Sequence, residues 1–403
     1  MSPENKKKDN DIPILSFFTG LGLLDLGFHK AGFQSIWHNE IDKHFIQGFE
    51  HGMNTYGLDG RSSKVQNSLS ILDIGPNQIL REAFSNAVVP EVFGVIGGPP
   101  CPDFSVGGKN LGGEGERGKL SQVYTSRILE LNPTFFLFEN VPGLLRTIKH
   151  RGFLSGLLDQ LSAHYILDLR ILNALDYGVP QDRERLFLVG LNKSWLKKNR
   201  SELVQKLSAN ELIQNARKPL PTGVSQEAEK HWMPWNSFRK YYNAKAIFNW
   251  PSVDPFGGSP STPEQIPMEL MVGPLICDQT RLSKLPNGTE AFKPYSHRFS
   301  TVDEGDVSKK CFKRLHRWRF SPAAAYGNNE VHLHPTEPRR LSVREAMMIQ
   351  TVPDAFALPE NMTLSSKFKT IGNAVPVRLA EAVARSILLV IEQVRYGAKN
   401  VNV

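Results

Sequence analysis

The chain has 403 residues, 40% of them hydrophobic, and carries a formal net charge of +8. That apolar content is enough for one large core plus a second, smaller unit. The three cysteines, Cys101, Cys277 and Cys311, form neither CxxC pairs nor His/Cys clusters at zinc spacing, which argues against a disulfide framework and a structural zinc. No apolar run approaches the roughly 20 residues that span a bilayer, and the start MSPENKKKDNDIP lacks the apolar stretch of a signal peptide. The expectation is a soluble cytoplasmic protein with no membrane contact, whose positive balance favours an anionic partner.

Residues 1–11 read as a polar tail. Residues 12–18, IPILSFF, read as a buried strand, and the glycine-punctuated TGLGLLDLGFHKAG that follows reads as a loop opening a helix. SIWHNEID, residues 35–42, reads as a second strand ending in acids. EVFGVIGG and PTFFLFEN are further apolar strands that end in polar loops, and LFLVGL, residues 186–191, is another. Strands alternating with helices predict an α/β fold with a mostly parallel sheet and ligand loops at the carboxyl ends of its strands. From residue 193 to about 330 the periodicity fades, and the segment contains the aromatic cluster HWMPWNSFRKYYNAKAIFNW, whose Trp232, Trp235, Tyr241, Tyr242 and Trp250 are expected to build a small lobe's own core. Periodicity returns at LSVREAMMIQ, where Ser342 followed by Glu345 has the capping-box spacing. A last helix is predicted over 377–394. The expected organisation is one domain built from 12–192 and 331–403, with 193–330 as a smaller lobe between them.

Several loops carry residues suited to chemistry. Gly20 and Gly22, after the strand that ends near Phe18, would let a backbone approach a ligand closely. Glu40 falls about twenty residues on, at the end of the next strand, where such folds set an acid against ribose hydroxyls. Asp73 in LSILDIG reads equally well as an acceptor for an adenine amino group and as a cap of the next turn. GGPPCPDFS displays Cys101 among prolines that fix the backbone, and Glu139 ends the neighbouring strand, so a thiol and a carboxylate converge on one crevice. A lone cysteine is more often structural, but the stiff setting and the partner carboxylate favour a nucleophile. In QDRERLFLVG, Arg183 and Arg185 lie on one face of an extended segment.

Taken in order, these pieces resemble the cytosine-C5 DNA methyltransferase family. FFTGLG, NEID, LDI, GGPPCPDFS, FENV, QDRER, PRRLSVREAMMIQTVPDAF and KTIGNAVP match eight of its motifs, over 12–192 and about 331–395. The resemblance implies a class I S-adenosylmethionine-dependent fold, Rossmann-like, with a smaller target recognition domain over 193–330. It implies that Cys101 attacks C6 of a cytosine flipped out of duplex DNA, that Glu139 holds or protonates N3, that Arg185 supports the cytosine carbonyl and Glu139, and that Arg183 binds backbone or orders the loop. The base that removes the C5 proton is not identified. For S-adenosylmethionine it implies Phe18 near the adenine, Gly20 and Gly22 at the methionine end, Glu40 on the ribose, Ile41 and Asp73 about the base, Ile74 packed on the adenine ring, and Pro99 and Asn373 lining the pocket.

There are departures: Leu23 stands where the family usually has a second glycine, and Pro102 replaces the common glutamine after the nucleophile. The glycine-rich stretch 105–118, with Ser105, Lys109 and Arg117, is expected to close over DNA. In the basic run KKCFKRLHRWRF, Lys313, Arg314, Arg317 and Arg319 are expected on DNA phosphates. The implied activity is sequence-specific DNA (cytosine-5)-methylation of the restriction-modification type, by a monomer associated with the nucleoid, and it leaves room for a cognate restriction endonuclease. An RNA cytosine methyltransferase and a noncatalytic DNA-binding regulator of the same fold are the rival readings.

Overall fold

The computed structural model describes residues 12–58, 65–85, 88–100, 116–208, 231–323, 326 and 330–397, without the side chains of 116, 117 and 205–208. Its frame is a seven-stranded sheet. The strands are β1 Ile12–Phe17, β2 Phe33–Asn39, β3 Val65–Asn67, β4 Gly94–Gly97, β5 Phe135–Asn140, β6 Tyr165–Asn173 and, after the short β7 Gln181–Asp182, β8 Glu184–Asn192. Their order across the sheet is β3-β2-β1-β4-β5-β8-β6. The first five pair in parallel, and β8 runs antiparallel between β5 and β6. Parallel strands covered on both faces need side chains that tolerate burial on each side, and β4 and the run Phe135–Phe138 are buried throughout. Strand order reverses between β1 and β4, so the crevice outside the carboxyl ends of β1, β2, β4 and β5 is the position where this architecture binds ligands.

Helices close both faces. They are α1 Leu23–Lys30, α2 Lys43–Thr55, α3 Pro76–Phe84, α4 Glu116–Leu131, α5 Ile148–Ser162, α6 Lys193–Ser208, α7 Val343–Ile349, α8 Leu364–Asn373 and the 20-residue α9 Val377–Tyr396; single turns elsewhere are left unlabelled. The capping box forms: Ser342 Oγ accepts from the Glu345 amide, and Glu345 Oε2 accepts from the Ser342 amide at 2.7 Å. The last helix spans the length that its periodicity predicts.

The middle of the chain differs from the expected separate lobe. Trp195, Leu196, Met233 and Trp235 lie in the same apolar cluster as β1, β8 and α9, with Trp232 packed against it. The expected boundary at residue 193 therefore falls inside the main core, and Trp232 and Trp235 are corrected from small-lobe core to main core. A second shared cluster joins Val272, Ile276, Leu282 and Leu315 to Leu21, Leu23, Phe49 and Met347. Among the described residues, two smaller clusters are local to the middle segment or nearly so. One is built on Ala244, Ile266, Leu270 and Met271 with Tyr241, Trp250 and Trp318, and the other on Phe299, Val331 and Leu333. Strands β9 Lys313–Arg314, β10 Ser321–Pro322 and β11 His332–Leu333 are two residues each; β10 pairs with β7 and β11 with β9.

Strand β6 escapes a reading by apolar runs because Asp168 and Arg170 interrupt it. Both are buried. Asp168 is met by residues returning from the far side of the middle segment: His231 Nδ1 lies 2.6 Å from Oδ1, and the Met233 amide donates to Oδ2 at 2.9 Å. A buried carboxylate is tolerated when its lone pairs are filled in this way.

Candidate active site

Glu139 and Arg185 meet across the β5–β8 pair. Glu139 stands opposite Phe187 in the antiparallel register, so Arg185, two residues from Phe187 on the same face, is its diagonal neighbour and within reach of a long side chain. Arg185 Nε lies 2.9 Å from Glu139 Oε1, with both side chains nearly buried. Burial raises the Glu139 carboxyl above its usual range, and the charges of Arg185 and Arg183 oppose that rise. On the other side Gly98 follows β4. A Cβ at this position would stand 2.5 Å from Glu139 Oε2, so the missing side chain is what leaves room for the carboxylate. Cys101 follows Gly98, Pro99 and Pro100 but lies outside the described residues, as do Ser105 and Lys109; the side chain of Arg117 is likewise not described.

Arg183 has a different task from Arg185. It is 1% exposed, and its Nη2 donates to the carbonyl of Gly372 at 2.7 Å. Burial pulls its guanidinium well below the arginine range. The arginine motif is thereby tied to the end of α8, which carries Asn373. Gly372 itself lies against the backbone of Tyr326, where a Cβ would come within 2.9 Å.

The cofactor candidates cluster after β1 and β2. Phe18, Gly20 and Gly22 all have positive φ (54°, 59° and 75°), the left-handed region that glycine enters without strain. The Gly20 amide donates to Glu40 Oε2 at 2.9 Å, and the amides of Ile41 and Asp42 donate to Oε1, each at 2.9 Å. A carboxylate has about four lone-pair sites, so Glu40 orders both loops and keeps acceptor capacity for a hydroxyl. Burial raises its carboxyl, while these three amides, that of Asp42 most, oppose the rise. Gly22 is packed on the Phe49 ring, 2.3 Å from where a Cβ would stand, and Leu23 enters α1 fully buried, so the turn accommodates leucine at the position of the missing glycine. The Phe18 ring sits edge-on to Tyr124 at 5.9 Å. Pro99 is buried, and Asp73 and Asn373 are exposed. One expectation is corrected: Ile74 presents no face to a base, since it is 0% exposed in the core with Ile71 and Ile79. The exposed large apolar side chains of these loops are Ile41, Leu69 and Leu72.

The basic run is mostly internal, which corrects its assignment to DNA phosphates. Arg314 is 0% exposed; it donates to the carbonyls of Val302, His334, Glu337 and Phe299 and stacks over Phe256 at 3.9 Å. Arg317 is bidentate to the buried Glu304, Nη2 lying 2.7 Å from Oε2, and also donates to the Gly258 carbonyl. Lys313 Nζ lies 2.9 Å from Glu330 Oε2, both side chains being mostly buried. Arg319 is half-buried beside Phe320. Of the run, Lys309 and Lys310 are exposed. Periodicity could not distinguish these residues, because the middle segment has few regular elements, and so its arginines do the bonding that ladders do elsewhere.

Sequence reading also missed the clamp at Glu269. Its carboxylate takes Tyr241 Oη on Oε1 and Arg378 Nη1 on Oε2, at 2.5 and 2.9 Å, and Arg378 also donates to the Gly178 carbonyl. No local sequence signal links these three residues, which are up to 137 positions apart in the chain (241 to 378).

Residues 12–389 match the family model described as C-5 cytosine-specific DNA methylase. The chain is 39% identical over 385 residues to the Type II methyltransferase M.NmeDI of Neisseria meningitidis serogroup C, covering 93% of this chain and 83% of that protein. It is 30% identical to the Type II methyltransferase M.MthTI of Methanothermobacter thermautotrophicus, covering 94% of this chain and 97% of that one. Among solved structures, the Dnmt2 methyltransferase of S. pombe superposes with a TM-score of 0.57 at 11% identity over 94% of this chain and 99% of that one, a likeness of fold.

Proposed function

The chain belongs to the C-5 cytosine-specific DNA methylase family and is a DNA (cytosine-5)-methyltransferase, and on that premise we propose that Cys101, Glu139, Arg185 and Arg183 carry its chemistry. The observation that carries this assignment is the Glu139–Arg185 pair beside Gly98, at the carboxyl ends of β4 and β5 and three residues before Cys101. A cytosine must leave the duplex to be attacked on its face. The Cys101 thiolate then adds to C6, and electron density moves toward N3. A carboxyl that burial holds toward its protonated form donates to N3, so the ring does not build up a full negative charge. Arg185 keeps that carboxyl in place and offers its remaining N–H groups to the cytosine carbonyl. After transfer a base removes the C5 proton, and elimination releases Cys101. Arg183, turned inward on Gly372, holds the α8 end against β8 and is a positioning residue in this reading.

The residues present fit S-adenosylmethionine. The positive-φ turn leaves open space at Gly20, where a Cβ would meet only the Phe18 carbonyl oxygen at 3.9 Å, Glu40 retains acceptor capacity, and the exposed Asp73 carboxylate makes no hydrogen bond to another described residue. When bound there it supplies the methyl group in electrophilic form. We assign Glu40 to the ribose hydroxyls, Asp73 to the adenine amino group, and Phe18, Ile41, Pro99 and Asn373 to the walls. DNA recognition falls to the middle segment, with Lys309 and Lys310 as the exposed charges of its basic run. The Type II names of the relatives support a role beside a cognate restriction endonuclease.

The test is methylation of random-sequence duplex DNA with S-adenosylmethionine, read by conversion sequencing, with Cys101→Ser alongside. One short motif gaining protected cytosines in the native enzyme and none in the variant is the expected result. Protected cytosines in Cys101→Ser would overturn the nucleophile, and protection of RNA but not DNA would overturn the substrate.

A further inference from the structure

Helix α4 follows Cys101 in the chain and packs in one apolar cluster with Ile71 and Ile74, and one of its side chains holds the turn between them. Arg127 Nε donates to the carbonyl of Ile74 at 2.9 Å, and Nη2 to that of Ile71 at 3.4 Å. Its third nitrogen, Nη1, is held by Glu130 Oε2 one turn along the helix at 2.6 Å. The two carbonyls bracket Asp73, and no other described residue donates to either. Within the turn, the Asp73 amide donates to the Ser70 carbonyl at 2.9 Å and the Leu72 amide to Ser70 Oγ at 3.2 Å. Ile71 and Ile74 are buried on one side of this turn, and Leu72 and Asp73 are exposed on the other.

A short turn between an edge strand and a helix has few backbone bonds of its own. What fixes the direction of Asp73 is thus the pair of apolar anchors below it and the guanidinium that gathers the carbonyls on either side. Arginine suits this place because its planar fork presents several donors in fixed geometry, whereas lysine offers a single rotatable point charge.

We propose that Arg127 is a positioning residue for the adenine end of the cofactor site, holding the Ile71–Ile74 turn so that the Asp73 carboxylate meets the exocyclic amino group. The inference rests on the assignment of Asp73 made above, and the experiment separates the two. Binding of S-adenosylhomocysteine and of its inosine analogue, in which a 6-oxo group replaces the amino group, is measured by calorimetry on the full chain for the native protein, Asp73→Asn, Arg127→Met and Arg127→Lys.

The native protein prefers the adenosyl ligand by about tenfold or more, the size of one lost charge-assisted hydrogen bond. Asp73→Asn and Arg127→Met bring that preference toward unity, and Arg127→Lys keeps an intermediate part of it. A merely structural role would weaken both ligands equally. A native protein that binds both equally overturns the assignment of Asp73 and the proposal with it. A native preference that Asp73→Asn abolishes and Arg127→Met leaves intact overturns Arg127 alone. If Arg127→Met does not fold, Arg127→Lys decides, since full retention of the preference with one fork removed also overturns it.

Discussion

Replacing Arg314 by methionine separates a scaffold role from a phosphate contact. The guanidinium donates to Val302 O at 2.7 Å, to Glu337 O at 3.0 Å, and to the carbonyls of His334 and Phe299. Glu337 O also accepts the Arg339 amide at 2.8 Å, so a methionine of similar volume strands three carbonyls, those of Phe299, Val302 and His334. Each buried orphan costs about 1–3 kcal/mol. Relaxation keeps each near the low end, and removing a desolvated charge offsets part of the sum, because burial already brings the Arg314 guanidinium down to about 10. The net loss is about 2–3 kcal/mol, which raises the locally open population roughly 30–150-fold.

Amide hydrogen exchange on the full chain, paired with a salt titration of DNA affinity, reads both quantities. Protection is expected to fall around 299–302 and 332–337. Affinity for DNA is expected to drop at every salt concentration while the slope of log K against log[salt] stays unchanged. Native protection with a slope shallower by about one would refute the scaffold role, since that is the signature of a lost phosphate contact. Lys309→Gln with Lys310→Gln is expected to do the reverse, because both side chains are exposed.

Three further outcomes follow from the site. Burial raises the Glu139 carboxyl, so its protonated form persists above the usual carboxylate range and turnover falls as pH rises through that raised value; Glu139→Gln is expected to lose about 10²–10⁴ in kcat together with this alkaline limb, and a limb that survives in the variant belongs to another group. Gly98→Ala puts a Cβ 2.5 Å from Glu139 Oε2, and the displaced carboxylate is expected to cost about 10²-fold in rate with little change in melting temperature, because only the end of a side chain must move; full activity would show that the carboxylate position is not critical. Gly22→Ala combines a φ of 75° with a Cβ 2.3 Å from the Phe49 ring, and is expected to destabilise by about 2–3 kcal/mol and to weaken cofactor binding, both measurable in one ligand-dependent melting series.

Strands β1, β4, β5 and β8 could be read from the sequence because burial on both faces demands an uninterrupted apolar run, and that demand is local. The same holds for the Ser342–Glu345 capping box and for the glycines at 20 and 22, whose conformations other residues resist. The motif residues could be ordered along the chain for a related reason: a parallel sheet delivers the carboxyl ends of its strands to one edge, so Glu40 after β2 and Glu139 near the end of β5 lie at the same edge of the sheet. What lay beyond the sequence depends on partners distant in the chain. Asp168 and Arg170 concealed β6 until His231 and Met233 returned to satisfy the carboxylate. Arg314 and Arg317 carry the same letters as DNA-facing arginines, and only the carbonyls and the Glu304 carboxylate packed around them turn them inward. Arg183 and Arg185 differ for the same reason: two positions on one face, one directed to Gly372 and the other to Glu139. Side-chain type and spacing decide which strands and turns can form, whereas the direction of a long charged side chain is decided by whatever donors, acceptors and space the folded chain places within its reach.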